Sequence, residues 1–434
     1  MNYQRPLTIR EQGMELLNRQ NGSLNIVTIS RIKGEIRGEI LQQALNVLQT
    51  IHPLLNSRIV GELYHLQFTT EGTEKIPLRV LSQGADESWE DVVREELNQT
   101  IDSRKTLLRC RLIHNQAQIN TSYLITTVHH GIADGLSCIS LQSELLQYYQ
   151  TIASGNQLDV DYQPALPSLE QLLPKWMQGK KGQLQTLWFG LKLKLQMLFH
   201  QPEALESEKT VSIEERRCGM TQRCLEPKIT QKLVKLCREE ETTVQGAICA
   251  AMLLTVAKKI SKGKTGNMNV CCRSYVDLRS RLELPIAHNN MGILASFLTS
   301  FHKIKPQMSF WDLSREVTKN IADSLKRKDM FKPLMLSRKI LESYRDNIDA
   351  PPPTISVTNI GRVNIPAVSG TIALEEISFV PSNVIFGKTF TVAVATFNDK
   401  MIFNFLVSMP SVSQDTMEML AGGVISCLVE ESSR

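Results

Sequence analysis

Residues 123–128, Tyr123-Leu124-Ile125-Thr126-Thr127-Val128, are apolar or β-branched and predict a buried strand. They run straight into His129-His130-Gly131-Ile132-Ala133-Asp134-Gly135, and from Leu136 through Leu145 and Leu146 the apolar residues take helical spacing. Two imidazoles and a carboxylate therefore sit at a strand-to-helix junction, with Gly135 opening the helix. The unpaired N–H groups of a helix N-terminus favour negative charge nearby. A histidine base beside such donors suits a reaction that deprotonates a nucleophile while an oxyanion builds up.

Simpler explanations compete with this one. A histidine at the end of a buried strand often serves as a packed or turn residue, and Asp-Gly is a common turn dipeptide. Here His129, His130, Asp134 and Gly135 together carry a pattern, in a context that makes physical sense. A metal centre is disfavoured: adjacent side chains on a strand point to opposite faces, and the four-residue spacing of a helical zinc pair is absent. No G-x-S-x-G elbow occurs, so a serine-hydrolase assignment fails.

The segment resembles the HHxxxDG signature of the condensation-domain and acyltransferase superfamily with the chloramphenicol-acetyltransferase-like fold. That superfamily includes nonribosomal peptide condensation domains, polyketide-associated acyltransferases of the phthiocerol dimycocerosyl transferase type, and alcohol acetyltransferases. Other landmarks follow in family order. Pro6-Leu7-Thr8 with Glu11 is similar to the opening segment, and a helical pattern over 40–51 leads into His52-Pro53-Leu54-Leu55. Thr242-Thr243-Val244-Gln245-Gly246-Ala247 opens an apolar helix through Leu253 and Val256. Val276-Asp277-Leu278-Arg279-Ser280-Arg281, with Leu284-Pro285 and Asn290-Met291-Gly292, resembles the DxRxR stretch of the plant BAHD acyltransferases. Ser356-Val357-Thr358-Asn359-Ile360-Gly361 resembles the SNxG strand end. Asn383-Val384-Ile385-Phe386-Gly387-Lys388 stands where plant members carry DFGWG, and the Asn-x-Pro-Gly-Pro of wax-ester synthases is absent. The nearest resemblance is to the freestanding polyketide-associated and alcohol acetyltransferase types.

At 434 residues, against about 150 per domain, the chain is expected to hold two to three domains. A 42% hydrophobic and 21% charged composition supplies enough apolar material for packed cores. The net charge of +5 comes from 49 basic residues spread along the chain, without the concentrated stripe of a nucleic-acid binder, so no nucleic-acid partner is expected. Nine cysteines include the adjacent Cys271-Cys272 and no CxxC pair; they are expected to be reduced, buried thiols of a cytosolic protein. The first six residues lack an apolar signal core, and no window is expected to offer the roughly 18 apolar residues of a spanning helix. The expected location is cytoplasmic.

Strand-like and helix-like segments alternate over 20–150 and again over 220–430. Strands are expected at 24–32, 64–68, 107–113, 123–128, 268–272, 354–358, 390–397 and 401–407, the last two joined at Asn398-Asp399-Lys400. The stretch 157–217, with Pro164, Pro167, Pro174 and Pro202, reads as a junction. The expected domains are 1–160 carrying the motif, a 161–217 linker with an amphipathic helix, and 218–434. The resemblance implies an α/β fold of two chloramphenicol-acetyltransferase-like domains, each a mixed sheet flanked by helices, forming a pseudo-dimer with a channel between them. In the linker, over 184–199, Leu184, Leu187, Trp188, Leu191, Leu195 and Leu198 take helical spacing, with Lys180, Lys181, Lys192 and Lys194 around them. Such a stripe suits peripheral contact with a membrane or, more commonly, packing on the protein's own core. Phe189, Leu193 and Met197 broaden the apolar arc.

The resemblance implies acyl transfer from a thioester to a hydroxyl or amine. It implies that His130 is the catalytic base, that His129 supports the loop, and that Asp134 turns away to pair with Arg279, with Arg281 as the fallback. Gly135 is expected to let substrate approach and to offer its N–H to the oxyanion. Asn359 is expected either to line the channel or to cap the turn before Gly361. No metal and no permanently bound cofactor are expected. The donor is an acyl-coenzyme A, or an acyl group on the phosphopantetheine arm of a carrier protein acting in trans; the acceptor is a small-molecule or lipid alcohol. The expected activity is that of a freestanding O-acyltransferase. A freestanding condensation enzyme making an amide, and a non-catalytic partner-binding member of the same fold, are the alternatives.

Overall fold

The computed structural model describes residues 3–433 except 22–23, 63–64, 84–87, 116–119, 161, 264–265, 285, 337–352 and 366–371. The chain forms two compact units, neither of them continuous in sequence. Unit 1 comprises Met1–Leu172, Arg279–Leu294 and Val363–Ser382, and unit 2 comprises Leu173–Leu278, Ala295–Arg362 and Asn383–Arg434.

Unit 1 carries strands β1 (Gln4–Pro6), β2 (Asn25–Lys33), β3 (Arg58–Val60), β4 (Gln67–Thr69), β5 (Leu78–Gln83), β6 (Leu108–Asn115), β7 (Thr121–His129) and, from far downstream, β12 (Ala373–Pro381). Its helices are α1 (Ile9–Asn21), α2 (Gly38–Ile51), α3 (Trp89–Asn98), α4 (Gly135–Ala153) and the short α5 (Leu169–Leu172). The main sheet has the order β12-β2-β7-β6-β5, and β1-β4-β3 form a small second sheet. The main sheet is mixed: β5 runs parallel to β6, and the other neighbours are antiparallel. Leu124, Ile125 and Val128 of β7 are buried, as their apolar run requires. Leu41, Ala44, Leu45 and Leu48 of α2 form one helical stripe and are fully buried. Each large apolar side chain so removed from water contributes roughly 1.5–3 kcal/mol.

Unit 2 is built on a six-stranded sheet, β10-β9-β11-β13-β14-β8. Its strands are β8 (Arg217–Leu225), β9 (Met268–Asp277), β10 (Ala295–Ile304), β11 (Ile355–Arg362), β13 (Phe390–Phe397) and β14 (Lys400–Met409). The helices are α6 (Gly179–His200), α7 (Pro227–Glu239), α8 (Val244–Ser261), α9 (Phe310–Lys326) and α10 (Gln414–Ser433). β11 is parallel to both β9 and β13, so this sheet is mixed too. Each unit thus has the mixed, helix-flanked sheet of the expected fold class.

Two expectations need correction. One helix, α8, does have the length and apolar composition to cross a membrane, contrary to the sequence reading. It is apolar all round because it is the core helix of unit 2: Ala247 through Leu253 and Val256 are fully buried. At Gly246 a Cβ would stand 2.7 Å from the Ser314 carbonyl oxygen of α9, so glycine permits the close packing of these two helices. The second correction concerns contiguity. The expected 161–217 linker is divided, and segments 279–294 and 363–382 of the expected C-terminal domain belong to unit 1. β12 explains one return: it pairs with β2 along its length, from Ala373↔Lys33 to Pro381↔Ile26. Of the strand expected at 64–68, Tyr64 lies outside the described residues and β4 covers only Gln67–Thr69. Pro285 of the DxRxR landmark also lies outside them.

Candidate active site

β7 ends at His129, and two backbone bonds shape the turn that follows. His130 N–H donates to the Leu24 carbonyl at 3.0 Å, and Ile132 N–H returns to the His129 carbonyl at 3.0 Å. His129 is fully buried. Its Nδ1 accepts the Gly131 N–H at 3.0 Å, which leaves Nε2 to carry the ring proton. That Nε2 lies 3.0 Å from Glu15 Oε2 on α1. Ser103 Oγ and Arg19 Nε also donate to Glu15. Burial pushes the Glu15 carboxyl up, but His129, with Ser103 and Arg19, outweighs it and brings the pKa down to about 2. A Cβ at Gly131 would stand 2.7 Å from His129 Nδ1, so this turn needs glycine.

His130 takes the opposite tautomer. Its Nδ1 lies 3.0 Å from the Ala133 carbonyl, which can only accept, so Nδ1 is protonated and Nε2 keeps the lone pair. Burial and then the charge of Arg10 lower its pKa from the usual 6.5 to about 4. The imidazole is therefore neutral across the physiological range.

Asp134 is the N-cap of α4, its Oδ1 accepting from Ser137 N–H at 2.9 Å and Ser137 Oγ at 3.0 Å. Arg279 grips the same carboxylate with both terminal nitrogens, and Leu294 N–H adds a bond to Oδ2 at 2.9 Å. Arg279 also donates to Ser137 Oγ at 2.8 Å. Burial works to raise the Asp134 pKa, and Arg279 and Ser137 hold it below the usual carboxylate range. Arg279, 1% exposed, is thus the partner, while Arg281 is exposed.

At Gly135 a Cβ would stand 2.6 Å from the Phe379 ring on β12, so glycine here makes room for that ring. Asp134 takes the Ser137 N–H, and Cys138 N–H bonds the Asp134 carbonyl, leaving Gly135 and Leu136 N–H as first-turn donors outside this cap. Asn359 lies on β11 in unit 2, and its Oδ1 accepts the Gly361 N–H at 2.8 Å. Gly361, at φ +74°, sits in the register shift of β11 between Asn359 and Arg362, and this bond closes that bulge within the strand.

Five residues at this site escape the sequence reading: Arg10, Glu15, Ser137, Leu294 and Phe379. A signal existed for the first two. Thr8-Ile9-Arg10-Glu11 is a capping box, in which Glu11 Oε2 accepts the Thr8 N–H at 2.7 Å and Thr8 Oγ1 accepts the Glu11 N–H at 3.2 Å. Glu15 follows Glu11 by one helical turn. Glu11 itself pairs with Arg5, and His52 binds Glu144 of α4 at 2.7 Å, so those landmarks brace unit 1.

Residues 214–406 match the family described as phthiocerol/phthiodiolone dimycocerosyl transferase C-terminus. The FR901469 synthetase of Dothideomycetidae sp. (strain 11243) is 24% identical over 184 residues, 42% of this chain; the chain spans only about 1% of that relative's length. Three solved structures share the fold over nearly the whole chain. Polyketide synthase associated protein 5 from Mycobacterium tuberculosis is 16% identical, covers 99% of both chains and gives a TM-score of 0.72. Trichothecene 15-O-acetyltransferase from Fusarium sporotrichioides is 12% identical over 99% of this chain and 95% of its own, with a TM-score of 0.76. The first condensation domain of the CDA synthetase is 14% identical over 99% and 96%, with a TM-score of 0.73. At these identities the likeness is one of fold.

Proposed function

We propose that this chain, which fits the condensation-domain and acyltransferase superfamily, transfers an acyl group from a thioester to an acceptor hydroxyl with His130 as general base. The observation that carries this is the bond from His130 Nδ1–H to the Ala133 carbonyl, which fixes the ring with Nε2 as its basic nitrogen. The acceptor oxygen attacks the thioester carbonyl carbon while its proton passes to Nε2. The tetrahedral oxyanion then collapses, the C–S bond breaks, and the imidazolium returns the proton to the departing thiolate. An imidazole held near 4 gains little by keeping a proton alone. The oxyanion formed in the same step supplies the compensating charge, so proton transfer and attack are concerted. The Gly135 and Leu136 N–H groups at the α4 N-terminus are the donors suited to that oxyanion.

Asp134 and Arg279 position the loop rather than react: every oxygen of the carboxylate is already engaged. His129 has the same standing, tied between Gly131 and Glu15. The donor is an acyl-coenzyme A or an acyl group on a carrier protein's phosphopantetheine, each a substrate and not a resident cofactor. The match to a synthetase and the condensation-domain fold favour one second reading, in which an amine replaces the hydroxyl and the product is an amide. Mass spectrometry of products from a panel of acyl-thioesters offered alcohols and amines together tests the choice. Ester is expected, and amide alone rejects it.

A further inference from the structure

Among the described residues, the apolar stripe of α6 is left about half exposed or more. Leu184, Leu187, Trp188, Leu191, Leu195 and Leu198 are between 45% and 69% exposed, and Phe199 reaches 83%. Exposed large apolar residues are ordinary singly, but a continuous stripe marks a surface made to be covered. The opposite face of α6 already has its partners in unit 2. Gly182 and Thr186 are buried, with Met177 O so close to Gly182 that a Cβ there would stand 1.8 Å away. Lys332 sits 5.7 Å over the Phe189 ring, and His200 stacks on Phe301 of β10 at 4.9 Å. The outward stripe therefore cannot turn inward without breaking these contacts.

Charge indicates what covers the stripe. α6 carries Lys180, Lys181, Lys192 and Lys194 and no acidic residue. At about 100° per residue, Lys192 and Lys194 fall about 80° to either side of the stripe's midline, and Lys180 and Lys181 lie at its N-terminal end. That is the geometry in which lysine stems lie along apolar surface while their ammonium groups reach anionic head groups. A groove of about 770 Å³ beside the helix joins Trp188 and Lys192 to Lys326 and Lys328, cations on the same unit, while Arg327 there is paired with Asp329. We infer that α6 docks on the surface of an anionic lipid bilayer, its apolar stripe entering the acyl boundary and its lysines meeting lipid phosphates. A protein partner fits less well, because lysines flank the stripe at both margins and at its N-terminal end. The inference is independent of the role given to His130.

Flotation of the full chain with vesicles tests it. The chain is expected to float with vesicles of equal parts phosphatidylcholine and phosphatidylglycerol, and to stay behind with phosphatidylcholine alone. W188E/L195E should abolish flotation with an unchanged thermal midpoint, since both side chains face solvent. K192E/K194E should weaken binding more than about tenfold, and added salt should do the same. A wild-type chain that never floats, or a K192E/K194E chain that floats as well as wild type, overturns the inference. So does a lipid-free dimer, measured by light scattering, that W188E/L195E splits, because the stripe would then serve a second copy.

Discussion

Arg279 holds Asp134 across 145 residues of sequence, each of two guanidinium nitrogens 3.0 Å from a different carboxylate oxygen. The pair is buried, so its attraction is weakly screened and its planar fit is hard to replace. Removing one partner strands the other's charge. Asp134→Ala also uncaps α4 at Ser137. Arg279→Ala and Asp134→Ala are each expected to cost roughly 3–5 kcal/mol in urea unfolding. A loss under about 1 kcal/mol would place the pair among the weak surface bridges.

The Glu15 contact with His129 makes stability depend on pH. The Glu15 pKa is about 2 in the folded chain against an ordinary 4.5, so the native state binds fewer protons than the unfolded one below that point. Its stabilisation is fully present above pH 4.5 and fades as pH falls toward 2. Glu15→Gln is expected to lose on the order of 3 kcal/mol at neutral pH and to flatten this acid dependence. Acid titrations of both chains, followed by circular dichroism, read the difference; parallel curves would remove Glu15 from the account.

For His130 the sign is that of a base kept neutral. The native imidazole takes a proton near pH 4 and the unfolded one near 6.5, so native stability declines as pH falls between these values. The base form is what the reaction needs, and the acid limb of kcat/KM is expected near 4 rather than 6.5. Arg10 helps hold the value down, so Arg10→Gln should move the limb upward. A wild-type limb at 6.5 that ignores Arg10 would contradict this.

Gly135 offers a test of packing at the motif. Glycine to alanine inside a helix ordinarily stabilises by up to about 1 kcal/mol. Here the new methyl meets Phe379 at 2.6 Å, and Gly135→Ala is expected to cost about 1–3 kcal/mol instead. Adding Phe379→Leu should cost less than it does alone, a coupling read in a double-mutant cycle. Additive effects would mean that the ring is not the obstacle.

Local pattern made β7, α4, β13 and β14 legible, because each is a run whose periodicity matches its burial. The motif identified His130 and the DxR resemblance identified Arg279. What stayed hidden depends on pairing between distant segments. β12, at Ala373–Pro381, carries two glutamates and reads weakly as a strand, yet its addition to β2 brings Phe379 against Gly135. Glu15 looks like any helical acid until α1 packs it against His129. The α6 stripe misled in another way: apolar residues at helical spacing usually mark a core face, and here they mark the solvent side.

The central claim is that His130 Nε2 removes the acceptor proton. The rate of ester formation from an acyl-thioester and an alcohol, measured for wild type and His130→Ala at neutral pH, tests it most directly. A kcat lower by about 10²–10⁴-fold with an unchanged thermal midpoint is the predicted result. Ester formed by the variant at the wild-type rate would contradict it.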